Sequence, residues 1–138
     1  MLGMYIVLDG YLGMVCDYPD AYRGQPGFNF LKALPTTWDN TKILDSKISE
    51  YVVTARRKNN IWYVGCINNS TERNLNLNFG FLEKGQYKAE IYVDADDSDK
   101  NPNHLISETR SIKSSDGIDI RIKGSGGFVM KITPVQDI

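Results

Sequence analysis

From about Thr41 to the end of the chain, apolar and polar residues alternate with a period of two, and no helical pattern interrupts them. This alternation is typical of antiparallel strands that bury one face. Seven such runs follow one another at hairpin spacing: Ile48–Lys58, Ile61–Ile67, Leu75–Phe79, Tyr87–Val93, Leu105–Lys113, Ile118–Ile122 and Phe128–Thr133. The sequence therefore predicts a mainly β fold, an antiparallel β-sandwich of about seven strands with Greek-key-like or meander connections.

The first forty residues have a different character. We expect them to form a short helical and irregular leader in front of a β-sandwich domain over residues 41–138. Four apolar residues fall on one helical face: Met1, Met4, Tyr5 and Leu8. Three of the five prolines break residues 17–39 into short pieces, with one helix predicted over Gly27–Ala33. The leader has no basic segment or cleavage site of a signal peptide, and its apolar run is too short and interrupted for a membrane span.

Charge and residue counts exclude several classes of protein. The 16 basic and 17 acidic side chains leave a net charge of −1, which disfavours a nucleic-acid binder. One histidine, His104, and two cysteines rule out zinc sites built from Cys/His sets. Cys16 and Cys66 both lie in apolar runs, and we expect them to be buried free thiols. The basic cluster Arg56–Lys58 alternates between strand faces, which favours solubility and edge protection over phosphate binding.

No motif for catalysis or ion binding stands out. The acidic run that begins at Asp94 has Asp99 and Leu105 where an EF-hand loop requires glycine and glutamate, so it predicts a solvated acidic loop. The other carboxylates are scattered, and only Asp9 and Asp39 stand in an apolar context. Nothing in the spacing of these acids identifies the catalytic pair of a glycosidase. We therefore expect no catalytic, metal-binding or cofactor-binding residue in this chain.

The aromatic side chains are the remaining candidates for a binding site. Exposed Trp and Tyr rings on a β-sandwich can form sugar platforms or interfaces, and four rings are candidates: Trp38, Trp62, Tyr63 and Tyr92. Trp62 and Tyr63 are neighbours on one strand, so they must point to opposite faces. Packing of these rings in the core or against a neighbouring domain is the favoured interpretation.

Several segments of the chain resemble one known family of enzymes. They are Pro35–Thr41, Leu44-Asp45, Ile48–Arg57, Trp62–Gly65, Phe81-Leu82, Gly85 and Tyr87–Ile91, with Met4–Val7 and Met14–Asp17 near the start. These segments resemble the C-terminal end of glycoside hydrolase family 97, whose members are bacterial α-glucosidases and α-galactosidases common in gut Bacteroidetes. The likeness covers nearly the whole chain. Gly24–Gly27 and Phe30–Lys32 look more like the α-galactosidase branch.

The resemblance implies a parent enzyme of three parts: an N-terminal β-super-sandwich, a (β/α)8 catalytic barrel and a small C-terminal β-sandwich. This chain looks like the third part preceded by the end of the barrel. The family's catalytic carboxylates and calcium ligands lie upstream of everything in this chain, so the resemblance carries no catalytic residue over. It implies a periplasmic or extracellular parent that acts on α-glucosides or α-galactosides, with calcium only in the parent's catalytic domain.

The expected role is thus that of a non-catalytic structural or oligomerisation domain. Seven of the fifteen aromatics lie in the first forty residues, and a leader of this kind is expected to fold back onto the sandwich, to become disordered, or to pair with another copy. We expect the rest of the parent glycosidase as a partner and a homodimer through the apolar leader, with no nucleic acid and no membrane. The alternatives are an ancillary carbohydrate-binding module with surface aromatics and, less favoured, a stand-alone small hydrolase.

Overall fold

The computed structural model describes residues 2–10, 13–14, 18–98, 100–101 and 103–135. Within them the helices are α1 (Met4–Val7), α2 (Pro19–Tyr22) and α3 (Pro26–Lys32). The strands are β1 (Asn40–Lys47), β2 (Tyr51–Lys58), β3 (Ile61–Asn68), β4 (Arg73–Asn78), β5 (Gln86–Asp94), β6 (Leu105–Lys113), β7 (Gly117–Ile122) and β8 (Gly127–Pro134). None of the described helices has the length and apolar character needed to cross a bilayer.

The eight strands form two antiparallel sheets. The large sheet has six strands in the order β1-β2-β3-β8-β5-β6, and the small sheet consists of β4 and β7. The last strand, β8, pairs with both β3 and β5 and so joins the two halves of the large sheet. The strands β4 and β7 pair with each other and form the second layer. The predicted mainly β fold, an antiparallel β-sandwich after a short helical leader, is confirmed.

The main core lies between the two sheets, and alternation places it there. Every second residue of the small sheet is buried, and the residues between them are exposed. The buried residues are Leu75, Leu77, Ile118, Ile120 and Ile122. The facing strands of the large sheet contribute fully buried partners such as Val64, Ile91 and Met130. Each of these aliphatic side chains contributes about 1.5–3 kcal/mol when it leaves water, so the alternation determines which face of each strand is inside.

One strand was missed by the prediction of seven. β1 is exposed along almost its whole length, and Leu44 is its single half-buried residue. Its register on β2 shifts between Ile43 and Asp45, where a bulge interrupts the ladder. An edge strand with a bulge and few buried side chains has no clean period of two, which is why the sequence pattern does not reveal it.

The leader folds back onto the large sheet, which is one of the three alternatives that the sequence left open. The helix predicted over Gly27–Ala33 is confirmed as α3. The predicted apolar stripe of the first helix is wrong, because α1 turns Ile6 inward, fully buried, and leaves Met4 and Leu8 43% and 54% exposed. Met1 and Cys16, which also entered predictions, lie outside the described residues.

Candidate functional site

The large sheet has a second apolar face, opposite the main core, and the leader covers it. We call this contact the leader interface. Its buried residues are Ile6 and Phe30 from the leader and Tyr63 and Val129 from the sheet. Half-buried apolar side chains surround them: Leu2, Leu34, Trp38, Ile61 and Tyr92. The large sheet is therefore covered on both faces, by β4 and β7 on one side and by the leader on the other.

Two glycines allow α1 to lie directly on the backbone of β3. A Cβ added to Gly65 would lie 2.5 Å from Ile6 Cβ and 3.0 Å from the Gly3 carbonyl oxygen. A Cβ added to Gly3 would clash with the Cys66 carbonyl oxygen. Because neither position has room for a side chain, the helix can sit on the strand only with glycine at both.

An aromatic cluster fills the rest of the leader interface. Phe30 meets Tyr63 and Tyr92 edge-on at ring-centroid distances of 6.2 and 5.7 Å, and Trp38 meets Tyr63 at 5.5 Å. The Tyr63 hydroxyl donates to the Ala33 carbonyl oxygen at 3.0 Å, which satisfies its polar end. Burial raises the pKa of Tyr63 above its ordinary value, so the phenol stays protonated and keeps its donor role.

Among the residues that the structure describes, Arg56 is the one buried cation of the leader interface. Its Nη1 donates to Asp9 Oδ1 at 3.1 Å and its Nη2 to the Val7 carbonyl oxygen at 3.4 Å, while its guanidinium lies 5.8 Å from the Trp38 ring centroid. Arg57, the next residue, points to the other face and lies 5.8 Å from the Trp62 ring. The predicted alternation is thus confirmed, but the expected role in solubility is wrong for Arg56, which is 6% exposed.

Asp39 joins the end of the leader to the β2–β3 turn. Its carboxylate accepts hydrogen bonds from the Asn59 backbone N–H at 2.7 Å and from Lys58 Nζ at 3.1 Å. These bonds, with the backbone one first, hold the pKa of Asp39 below its ordinary value of 3.8. Asn59 itself adopts φ 53°, the left-handed turn conformation that asparagine tolerates.

The structure divides the four candidate aromatics between two clusters. Trp62 is buried in the main core, where Phe81 meets it edge-on at 5.1 Å, whereas Trp38, Tyr63 and Tyr92 belong to the leader interface. Trp62 and Tyr63 are 7% and 4% exposed, and the other two rings are half-buried. All four rings therefore pack against protein in this arrangement.

Some residues of the leader interface carried a sequence signal and others did not. Phe30 and Ile6 lie in apolar runs that the sequence analysis noted without assigning them a contact. Arg56 and Gly65 gave no such signal, because a strand sequence does not show which distant segment will lie on it.

The leader also leaves several large apolar side chains exposed to solvent. We call this the outer leader surface, and it comprises Met4, Leu8, Met14 and Tyr18, which is 80% exposed. Large exposed apolar side chains within one short segment are typical of a protein contact.

The described carboxylates of the acidic run that begins at Asp94 pair with neighbouring groups. Asp94 Oδ2 accepts a hydrogen bond from the Gly127 backbone N–H at 2.8 Å, and Asp96 pairs with Lys123 at 3.3 Å and Arg121 at 3.5 Å. Among the described residues no group of three or more His, Cys, Asp or Glu side chains is arranged to hold a metal ion. The Asp96 side chain is 82% exposed, so its ion pairs lie at the surface, in agreement with the predicted solvated loop.

Two open cavities lie among the described residues. A cleft of about 240 Å³ lies where the small sheet fails to cover the β6 side of the large sheet, and its lining includes Ile106, Glu108, Asp119 and Arg121. It contains no aromatic ring. A second hollow of about 340 Å³ lies on the leader beside Tyr22 and Phe28, whose rings stack at 5.4 Å.

Fold and interface together define an accessory β-sandwich whose large sheet is covered on both faces. The family model described as "Glycosyl-hydrolase 97 C-terminal, oligomerisation" matches residues 37–133. The chain therefore belongs to the family of C-terminal oligomerisation domains of family 97 glycosyl hydrolases, and the resemblance noted in the sequence is confirmed.

Comparisons with individual proteins support this assignment. The retaining alpha-galactosidase of Bacteroides thetaiotaomicron is 33% identical over 132 residues, which are 95% of this chain and 20% of that protein. A family 97 glycoside hydrolase from Pseudoalteromonas sp. strain K8, solved in complex with panose, superposes with a TM-score of 0.92 at 29% identity, over 98% of this chain and 22% of that one. A beta-arabinopyranosidase shares the fold, with a TM-score of 0.77 at 22% identity over 94% and 20% of the two chains. The chain thus spans about a fifth of the length of the relatives it matches.

Proposed function

We propose that this chain serves as the non-catalytic C-terminal domain of a longer retaining α-galactosidase, which it braces by contact through the outer leader surface. The observation that carries the proposal is the two-sided leader: one side is buried on the large sheet, and the other is apolar and exposed. The substrate class, α-galactosides, rests on the 33% identity to a retaining alpha-galactosidase. The catalytic groups, any calcium ion and a periplasmic or extracellular location belong to the proposed parent.

The way the leader is held supports this role. Arg56 and Gly65 fix α1 against the sheet, so Met4 and Leu8 are presented in a defined position instead of on a loose tail. A preformed apolar surface loses little conformational freedom when it binds, which favours a permanent intramolecular contact. The family's catalytic domain is the natural occupant, since the leader resembles the end of the family's catalytic barrel.

A second candidate role uses the same surface in the isolated chain. Without a catalytic domain, the outer leader surface would remain exposed, and two copies could cover it by a two-fold contact. The exposure of Leu8 and Met14, 54% and 71%, favours this leader-mediated homodimer. An ancillary sugar-binding role has less support, because the four candidate rings are packed against protein.

A chimera tests the bracing role. The matching segment of the Bacteroides thetaiotaomicron enzyme is replaced by this chain, and α-galactosidase activity and melting temperature are measured. We expect Leu8→Asp to lower both, because it places a charge in the proposed contact. Ile48→Asp is the matched control, since Ile48 is 96% exposed on the β1–β2 turn. Equal melting temperatures for Leu8→Asp and the unaltered chimera would contradict the bracing role.

A further inference from the structure

The strand β6 forms the outer edge of the large sheet and is regular over its full length. All nine of its residues pair with β5 in one unbroken register, from Asp94↔Leu105 to Gln86↔Lys113. The stretch from Ile106 to Ser111 is exposed, and no described strand lies on its outer side. It contains neither a proline nor a bulge, in contrast to β1 at the opposite edge. Natural edges are usually interrupted in some such way, because a long regular edge is a template for another strand.

The backbone groups that face outward from β6 can be identified. The Ala95 N–H donates to the His104 carbonyl oxygen at 3.1 Å, which makes this pair a hydrogen-bonded one at the end of the β5–β6 ladder. Hydrogen-bonded and non-hydrogen-bonded pairs alternate along an antiparallel ladder. The N–H and C=O groups of Ser107, Thr109 and Ser111 therefore point away from β5. The Lys113 N–H follows the same rule, since it donates to Asp116 Oδ2 at 2.7 Å instead of to β5.

The sequence of this edge is complementary to itself when it is read in the opposite direction. Residues 106–112 read Ile-Ser-Glu-Thr-Arg-Ser-Ile, a palindrome in which only the two charges exchange sign. In an antiparallel pair centred on Thr109, Glu108 lies opposite Arg110 of the second copy. Ser107 then lies opposite Ser111, and Ile106 lies opposite Ile112. Every position thus meets a partner of matching size or opposite charge.

The hydrogen-bonding pattern and the charge pattern agree on the same centre. With Thr109 on the two-fold axis, the outward groups of Thr109 meet their own copies, and those of Ser107 meet those of Ser111. Glu108 and Arg110 then form non-hydrogen-bonded pairs, where opposing Cα atoms are only about 4.5 Å apart and side chains interact most closely. If the two-fold axis lay one residue away, at Glu108 or Arg110, the backbone groups that already bond to β5 would face each other. The pairing of outward backbone groups and the pairing of opposite charges would then both be lost.

We propose that β6 is the oligomerisation edge of this domain, and that two copies pair antiparallel about Thr109 to join their large sheets into one. This inference deepens the oligomerisation role and rests on it, but it uses a surface separate from the outer leader surface. The leader remains available to the catalytic domain, so bracing and dimerisation do not compete in the parent enzyme.

The charges on the edge are free to exchange partners. Arg110 pairs with Glu108 of its own strand at 2.9 Å, and the two side chains are 50% and 41% exposed. An exposed ion pair of this kind contributes little to stability. Replacing the one pair within each copy by two pairs between the copies therefore costs little. A single strand pair buries less surface than the roughly 1,600 Å² of a standard stable interface. We therefore expect a dissociable dimer in which charge complementarity selects the register.

Sedimentation velocity over a concentration series tests the proposal on the full chain. Thr109→Pro removes the central outward N–H without taking a hydrogen bond from the β5–β6 ladder, and it is expected to weaken association about tenfold or more. Glu108→Arg and Arg110→Glu each place like charges opposite each other and should weaken self-association. An equimolar mixture of these two variants restores opposite charges at both pairs and should associate as the unaltered chain does.

The controls separate the possible outcomes. Lys42→Glu changes one exposed charge on β1, at the opposite edge of the large sheet, and should leave association unchanged. A chain that stays monomeric up to millimolar concentration, or single variants whose mixture fails to associate, would overturn the β6 proposal. Loss of the dimer with Leu8→Asp but not with Thr109→Pro would assign it to the outer leader surface instead. Failure of the bracing role is recognised separately, because it is measured by the activity and melting temperature of the chimera.

Discussion

The Arg56 guanidinium donates a hydrogen bond to the Asp9 carboxylate at 3.1 Å, although 47 residues separate the two along the chain. Arg56 is buried, whereas the Asp9 side chain is 82% exposed. The pair therefore lies at the rim of the leader interface, where water reaches the acid but not the base. Since Arg56 also donates to the Val7 carbonyl oxygen, one side chain holds the end of α1 on the large sheet.

Removal of this guanidinium is expected to release the leader. Arg56→Met keeps an apolar stem but loses both hydrogen bonds, which should lower the free energy of unfolding by about 2 kcal/mol. Limited trypsin digestion followed by mass spectrometry should show faster cleavage after Arg23 and Lys32. Arg57→Met is the control, because Arg57 lies on the other face of the same strand. Unchanged leader cleavage in Arg56→Met would show that the pair does not hold the leader.

The close contact between α1 and β3 predicts a large effect from one methyl group. Gly65→Ala would place Cβ 2.5 Å from Ile6 Cβ, so α1 must shift and the protein should lose roughly 1–3 kcal/mol of stability. Urea unfolding measures this loss, and hydrogen exchange of residues 4–7 reports the displacement of the helix. Gly10→Ala is the matched control, because nothing lies within 4 Å of its added Cβ. Similar losses in both variants would contradict the close packing.

The carboxylates of the turns predict a loss of stability in acid. The folded state lowers the pKa of Asp39 from 3.8, chiefly through the Asn59 N–H, and that of Glu50 from 4.5, first through Lys47 and then Arg73. A lowered folded-state pKa stabilises the fold above the unfolded-state value, and this contribution is lost as the pH falls through the folded-state value. The free energy of unfolding should therefore decrease below about pH 5. Asp39→Asn should flatten this dependence, and identical pH profiles for the variant and the unaltered chain would count against it.

Cys66 is expected to be chemically inert in the folded protein. Burial raises the pKa of its thiol from 9.0 to about 12, and the free side chain is 1% exposed, so the reactive thiolate is almost absent at pH 8. In a Cys16→Ser background, Ellman's reagent should react slowly in buffer and fast in concentrated urea. Rapid reaction of the native Cys16→Ser chain would show that Cys66 is accessible.

Titration with maltose or galactose oligosaccharides separates a structural role from sugar binding. Trp62 lies in the main core and Trp38 in the leader interface, so we expect no change in tryptophan fluorescence at millimolar sugar. A saturable change that Trp38→Phe abolishes would favour the carbohydrate-binding alternative. Trp62→Phe is a poor probe of binding, because it also alters the packing against Phe81.

Much of the sandwich was predictable because a period of two is a local property. The alternation in β4 and β7 identifies Leu75, Ile118 and their equivalents as buried, whatever lies opposite them. The turn at Asn59 was predictable for the same reason, since left-handed geometry depends on the residue itself. β1 escaped prediction because an exposed edge strand buries almost nothing and so carries no alternation.

The sequence by itself determined the class of fold, the inner face of nearly every strand and the family of the protein. Only the tertiary structure decided that the outer face of the large sheet is also covered, that Ile6 and not Met4 or Leu8 faces it, and that Arg56 is buried there. The physical reason is distance along the chain. Alternation depends on neighbouring residues, whereas the leader interface depends on segments far apart in sequence that are close only after folding.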